Sequence, residues 1–239
     1  MAVKKMKLTE KIESKLGEEG IQELAAHLWA RDCQTCGGSL GVEPPALYVI
    51  DMHTYAFAEL NHEECRAPDW NDSGLLTGKS SSDAHLSHEA LSVVLPFSRN
   101  GAMDLRPALL VNPGLESVMI QLDDQDRWQV KIGKHFEHAG LRPVGQIPMD
   151  SPVKGVTAHL THFEIAVTLQ GPPFSTYSAP IGGPSGPQIR DAHADKQGVL
   201  LMVSHLFDFT TPTPDHISSV FASGKLLSGW VGFAKNDDE

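Results

Sequence analysis

Apolar residues follow two different rhythms along this chain. Near the N-terminus they recur every three or four positions. Leu8, Ile12 and Leu16 form one stripe, and Ile21, Leu24, Ala25, Leu28 and Trp29 form a second. That spacing puts each stripe on one face of a helix. Gly17 and Gly20 interrupt it, so one helix or two short ones fit equally. Thr9 is the expected N-cap, with Leu8 packing back from just outside.

Farther along, the rhythm changes to alternation and short apolar runs. Ala46–Ile50 and Thr54–Ala58 read as a hairpin turning at Asp51-Met52-His53. Leu91–Phe97 and Ala108–Val111 read as strands. Val118, Ile120 and Leu122, then Trp128, Val130 and Ile132, predict a second hairpin around Asp123–Asp126. Val156, Ala158 and Leu160 alternate on one parity and Phe163, Ile165, Val167 and Leu169 on the other. A bulge near Thr161-His162, or two strands joined there, would produce that slip. Val199–Val203 is apolar on both faces and reads as a central buried strand. Thr213 caps an expected short helix, Pro214 suits its first turn and Gly224 its end. Ile217, Val220 and Phe221 are its expected inward face. Trp230–Phe233 is expected as an edge strand, and Asn236–Glu239 as a disordered acidic tail.

Two stretches lack either rhythm. Arg66–Asp83 carries Pro68, Asn71-Asp72-Ser73-Gly74 and three consecutive serines, so it reads as a connector. Trp70 is its exception, expected to pack back on the preceding module. Residues 171–198 hold five prolines and no usable periodicity. They read as a long loop, either a surface insertion or a lid or binding arm, with Phe174, Tyr177, Ile181 and Ile189 as anchors. The expected fold is α+β. An N-terminal helix and a small metal module occupy residues 1–80, and a mostly antiparallel β-rich domain with a short C-terminal helix occupies 81–239.

Composition narrows the classes. At 239 residues and 41% hydrophobic content the chain can bury a sizeable core in one or two domains. No apolar run has the length of a membrane span, and no apolar signal region follows the basic N-terminus. The formal net charge is −11, and residues 36–80 carry two basic against seven acidic side chains. A polyanion-binding protein needs clustered cations, so nucleic acid is not the expected partner.

The three cysteines change the picture most. Cys33-Gln-Thr-Cys36 is followed by His62-Glu-Glu-Cys65, two pairs of soft ligands each separated by two residues. This set fits one tetrahedral Zn²⁺. A redox dithiol is the competing reading of Cys-x-x-Cys, but Gly37-Gly38 after Cys36 suits a turn rather than a helix start. A Cys33–Cys36 disulfide would leave Cys65 unpaired. Four protein ligands leave no open position for water, so the expected zinc is structural, one per chain. Glu63 is a harder ligand and breaks the spacing. His53 has no paired spacing and reads as a residue beside the shell or on the surface. Cysteines used this way fit a reducing cytoplasm.

The Cys33-Gln-Thr-Cys36-Gly37-Gly38 segment resembles the knuckle of zinc-ribbon and treble-clef zinc fingers. In those families a second ligand pair follows a β-hairpin or opens a short helix. The resemblance covers residues 33–65 and implies metal binding. It does not select among nucleic-acid binding, protein binding and plain structural support.

Twelve histidines raise an enzyme hypothesis. His135 and His138, and His159 and His162, are each three apart, with Glu137 and Glu164 nearby. Such a spacing shares a face on a helix and diverges on a strand. His135 and His138 run into Ala139-Gly140, a probable turn by composition. No phosphate loop, dinucleotide fingerprint or nucleophile elbow is present in the sequence. Three functions follow in order. The first is a non-catalytic zinc protein binding another protein or a small ligand. The second is a metal-assisted or His/Glu-dependent hydrolase-like enzyme. The third is a zinc-finger nucleic-acid regulator.

Overall fold

A computed structural model describes residues 3, 5–74, 88–99, 102–130, 132–144, 152–170, 175–182, 186–210 and 213–234. In chain order the elements begin with α1 (Glu10–His27), β1 (Ala46–Asp51), β2 (Tyr55–Asn61) and β3 (Asp69–Asn71). Then come β4 (Glu89–Arg99), β5 (Ala102–Asn112), β6 (Ser117–Leu122), β7 (Trp128–Val130) and α2 (Ile132–His138). They are followed by β8 (Arg142–Pro143), β9 (Val156–Leu160), β10 (Glu164–Leu169) and β11 (Ser175–Pro180). The last are α3 (Gly186–Lys196), β12 (Gly198–Val203), α4 (Pro214–Ala222) and β13 (Leu227–Gly232). The class is α+β, as the alternating patterns imply. The chain forms two compact units. One is Met1–Ser87 with Gly114–Ile132, and the other is His88–Pro113 with Gly133–Glu239. The break expected near residue 80 lies outside the described residues, and the first unit also takes in a returning segment, 114–132.

In the first unit α1 covers a five-stranded sheet ordered β3-β1-β2-β6-β7. β1 and β2 form the predicted hairpin, with Ala46 opposite Asn61 and Asp51 opposite Ala56. β6 adds antiparallel to β2, and β7 to β6. β3 adds parallel to β1. Ile12, Leu16 and Leu24 of α1, with Leu28 at its C-cap, are buried with Leu47, Val49, Leu60, Val118 and Ile120. Thr9 caps α1, its side chain accepting from the Ile12 N–H. Gly17 breaks the helical path at φ 65°, ψ 175°, a region open to glycine without Cβ strain. The helix is therefore one element with a kink. Trp70 does pack back. It is fully buried, donates Nε1–H to Asp51 Oδ2 at 2.8 Å and lies 5.2 Å from the Trp128 ring.

The second unit contains a five-stranded sheet, β4-β5-β12-β13-β8, and a three-stranded antiparallel sheet, β11-β10-β9. β12 is buried at all six positions and pairs parallel to β5 and antiparallel to β13. Ala108, Leu110, Leu200, Met202, Phe207 and Val220 share one core cluster. Thr213 caps α4 by accepting from the His216 N–H, with Pro214 in the first turn. The parity slip at 160–163 is two strands joined by a turn, with Leu160 opposite Ile165.

Several expectations change here. Residues 171–198 are not a long loop, because they contain β11 and α3. β11 pairs with β10 and buries Tyr177 and Ala179, and Ile189 is buried on α3. Ile181 is also buried, while Phe174 lies outside the described residues. Trp230 and Val231 sit in β13, which is not at the sheet edge, since the two-residue β8 pairs with its beginning. Phe163 is 82% exposed because it occupies the β9–β10 turn. Ile132 opens α2 instead of ending β7, so His135 and His138 are helical, and they run into the expected turn at Ala139-Gly140. The acidic residues 236–239 lie outside the described residues.

Candidate metal centre

Two local structures present the four ligands, both in the first unit. The first is a knuckle, closed by an antiparallel bridge between Asp32 and Ser39. Inside it the Cys33 N–H donates to the Gly38 carbonyl at 2.7 Å and the Gly37 N–H to the Cys33 carbonyl at 2.8 Å. Gly37 has φ 71°, the left-handed geometry that lets the chain reverse directly after Cys36. The Gln34 N–H donates to the Leu60 carbonyl at 3.1 Å and ties the knuckle to the end of β2. The second structure is a single turn. Cys65 N–H and Arg66 N–H both donate to the His62 carbonyl, at 3.1 and 3.0 Å. A spacing of three on such a turn puts His62 and Cys65 on one side.

One ligand atom from each of Cys33, Cys36, His62 and Cys65 lies within 4.8 Å of the other three, so the group could hold a metal ion. Cys36 Sγ is 3.5 Å and Cys65 Sγ 3.8 Å from His62 Nδ1. A tetrahedral ion with metal–sulfur bonds of about 2.3 Å and a metal–nitrogen bond of about 2.0 Å has S···N edges of about 3.5 Å. The Cys36–His62 and Cys65–His62 separations are close to such an edge. Cys33 is buried within the core cluster, and Cys36 is exposed.

Backbone groups orient the ligands. His62 Nε2 is 2.9 Å from the Ser39 carbonyl, which fixes the proton on Nε2 and turns Nδ1 toward the thiols. The His62 N–H donates to Cys33 Sγ at 3.3 Å, and the Gly38 N–H to Cys36 Sγ at 3.4 Å. With no cation present, the Gly38 N–H and then His62 lower the Cys36 thiol to about 7. The Ser39 carbonyl and then Cys36 raise His62 to about 9. Loss of solvent, then contact with Cys36 and Cys33, raises Cys65 to about 11. A metal ion would displace the protons held by His62 and Cys65.

The remaining candidates fall elsewhere. Glu63 bonds Lys7 Nζ at 2.6 Å. His53 is exposed in the β1–β2 turn at φ 75°. His135 is partly buried on α2. Burial, then His138, lowers its pKa, and its Nε2 has no hydrogen-bond partner among the described residues. His138 is exposed, its Nδ1 2.8 Å from the Lys134 carbonyl. Glu137, His159, His162 and Glu164 are exposed. Among the described residues, no metal-holding group of three or more includes any of these six.

Asn61, Thr35 and the Ser39 carbonyl were not signalled by ligand spacing. Asn61 alone left a trace, as a polar residue ending a strand directly before a ligand. A cavity of about 330 Å³ opens beside the centre, lined in part by Leu40, Val42, Pro44, Pro45, His62 and Glu63. No helix among the described residues is long and apolar enough to cross a membrane. No protein-family model matches the chain, and neither the curated proteins nor the solved structures give a match.

Proposed function

We propose that this chain is a zinc protein of the cytoplasm that binds another protein or a small ligand without catalysing a reaction. Its zinc is structural, one per chain, held by Cys33, Cys36, His62 and Cys65 in the manner of a zinc-ribbon or treble-clef finger. The observation that carries the reading is the gathering of three sulfurs and one imidazole nitrogen within 4.8 Å of one another. Such a soft donor set favours zinc over magnesium or calcium. Four protein donors fill the shell. The cavity beside the centre, with Val42 fully exposed at its rim, supports ligand or partner binding on that side.

Metal analysis of the purified protein tests this. One zinc per chain is expected, with occupancy lost in Cys36→Ser combined with Cys65→Ser. No zinc in the wild type, or full occupancy in the double variant, overturns the ligand set. The partner is not nucleic acid. Residues 36–80 carry an excess of acidic groups, and the whole chain stands at −11. Counterion release needs several clustered cations. Glu10 and Glu13 interleave with Lys4, Lys5, Lys7, Lys11 and Lys15. Saturable submicromolar binding of DNA or RNA at near-physiological salt, weakening steeply as salt rises, would promote the regulator reading instead.

A further inference from the structure

One buried polar group beside the metal centre is not explained by zinc ligation. Asn61 ends β2 directly before His62 and has no exposed surface. Its Oδ1 accepts from the Thr35 hydroxyl at 2.8 Å and faces Cys33 Sγ at 3.7 Å. Its Nδ2 has no hydrogen-bond partner among the described residues. Two buried N–H bonds are therefore left without acceptors, an arrangement that folded interiors avoid. The contact with Cys33 also works only while that sulfur has a proton to donate. A ligating cysteine is a thiolate and has none. In a loaded centre the Asn61 oxygen would face an anion, acceptor against acceptor.

The two ends of a side-chain amide have nearly the same shape and exchange by a half turn. After that exchange the amide N–H groups face Cys33 Sγ and Thr35 Oγ1, both of which accept. One carbonyl oxygen then lacks a donor and the hydroxyl hydrogen of half-buried Thr35 turns elsewhere, in place of two fully buried N–H bonds lacking acceptors. We propose that, in the loaded centre of the zinc reading above, Asn61 donates its side-chain N–H to the Cys33 thiolate and positions that ligand. Cys33 then receives two N–H donors, from Asn61 and from the His62 backbone. Cys36 receives one, from Gly38. The asymmetry follows solvent access. Cys33 is the buried sulfur, where water cannot disperse the thiolate charge, and Cys36 is the exposed one.

Cobalt(II) in place of zinc gives the test. Wild type, Asn61→Leu and Thr35→Val are loaded with cobalt(II), and the thiolate-to-metal charge-transfer band is recorded. Zinc affinity is measured by competition with a chelator. In Asn61→Leu the band is expected to move to lower energy and zinc affinity to fall tenfold or more, the usual order for a lost ligand-supporting bond. Thr35→Val removes the hydroxyl but keeps the N–H···S bond, so its band is expected to stay in place. An unmoved band in Asn61→Leu, or an equal shift in Thr35→Val, overturns the assignment and leaves the zinc reading standing. A wild type that takes up neither metal overturns the zinc reading and the assignment together. If Asn61→Leu does not fold, the wild type decides by NMR. One Asn61 side-chain amide proton is expected to move downfield on zinc loading, and its failure to move overturns the assignment.

Discussion

The two units of this chain reach stability by different routes. Among its described residues the second unit shows no metal-holding group, and packed strands supply its core. β12, apolar at every position, pairs with β5 from nearly a hundred residues earlier, and the sheet is sealed by Phe207, Val220 and Leu226. The first unit has a core of its own under α1, but one corner of it is a cysteine. Cys33 belongs to the same buried cluster as Ile12, Leu24 and Trp70. Its neighbours in sequence, Gln34 to Ser39, turn back on themselves with few apolar side chains. Where the chain lacks hydrophobic surface, it gathers four side chains that could hold a metal ion. On the zinc reading, such a site is both an anchor and a weak point, since its free energy depends on an ion that can be removed.

Chelation is the sharpest way to break the comparison, and its expected effect is the largest. Structural zinc in small fingers contributes about 10–16 kcal/mol of apparent binding free energy near pH 7. Removing it should expose the backbone amides of residues 33–65 and of α1 to hydrogen exchange. β6 and β7 should follow, because they pair with β2 and with each other in the first unit. Residues 88–112 and 152–232 should keep their protection. Uniform loss across both units would show that they do not fold independently.

The reverse experiment damages the second core. Leu201 is fully buried in β12. Leu201→Ala should cost about 2–5 kcal/mol of that unit's stability, read by denaturant unfolding, with zinc content unchanged. A zinc stoichiometry that falls together with stability would refute the separation.

pH sharpens the metal side. A loaded centre needs His62 neutral and the cysteines as thiolates. In the metal-free protein His62 titrates near 9, Cys65 near 11 and Cys36 near 7. At pH 8 the first two still hold protons, so loading should release at least two, and affinity should climb by at least about a hundredfold per pH unit there. The climb should lose one proton's share above about 9 and flatten above about 11. Metal-free stability runs the other way for His62. Its raised pKa contributes fully below 6.5, and that contribution is lost as pH rises through about 9. Competition titrations at several pH values check the first trend. A pH-independent affinity between 7 and 10 would contradict it.

Much of this architecture could be read from the residues, and the failures have physical causes. The β1–β2 and β6–β7 hairpins were legible because alternation and turn residues lie within a few positions of each other. β12 was legible because both of its faces are apolar. The attachment of β6 to β2 was not, since a hairpin's own pattern does not name the strand it will meet. Residues 171–198 hid a strand and a helix because their core signals are thin. β11 is marked mainly by Tyr177 and Ala179, and α3 by Ile189, among prolines and glycines that read as loop. The metal ligands were legible in their spacing. The Ser39 carbonyl that orients His62 has no side-chain signature, and Asn61 shows its role only through burial.

The smallest expected effects come from two matched threonines, one in each unit. Thr9 and Thr213 do the same work, each side-chain oxygen accepting a backbone N–H in the first turn of its helix. Replacing such a cap with alanine costs about 1 kcal/mol. Thr9→Ala should lower only the unfolding transition of the metal-bearing unit. The shift is read in the metal-loaded protein, because chelation is expected to open α1 itself. Thr213→Ala should lower only the other transition, with or without chelator. The pair therefore asks whether a perturbation too small to unfold anything stays where it is made. Chelator-dependence appearing for Thr213→Ala, or a Thr9→Ala shift of equal size in both transitions, would mean that the two cores share one cooperative unit and that the zinc supports both.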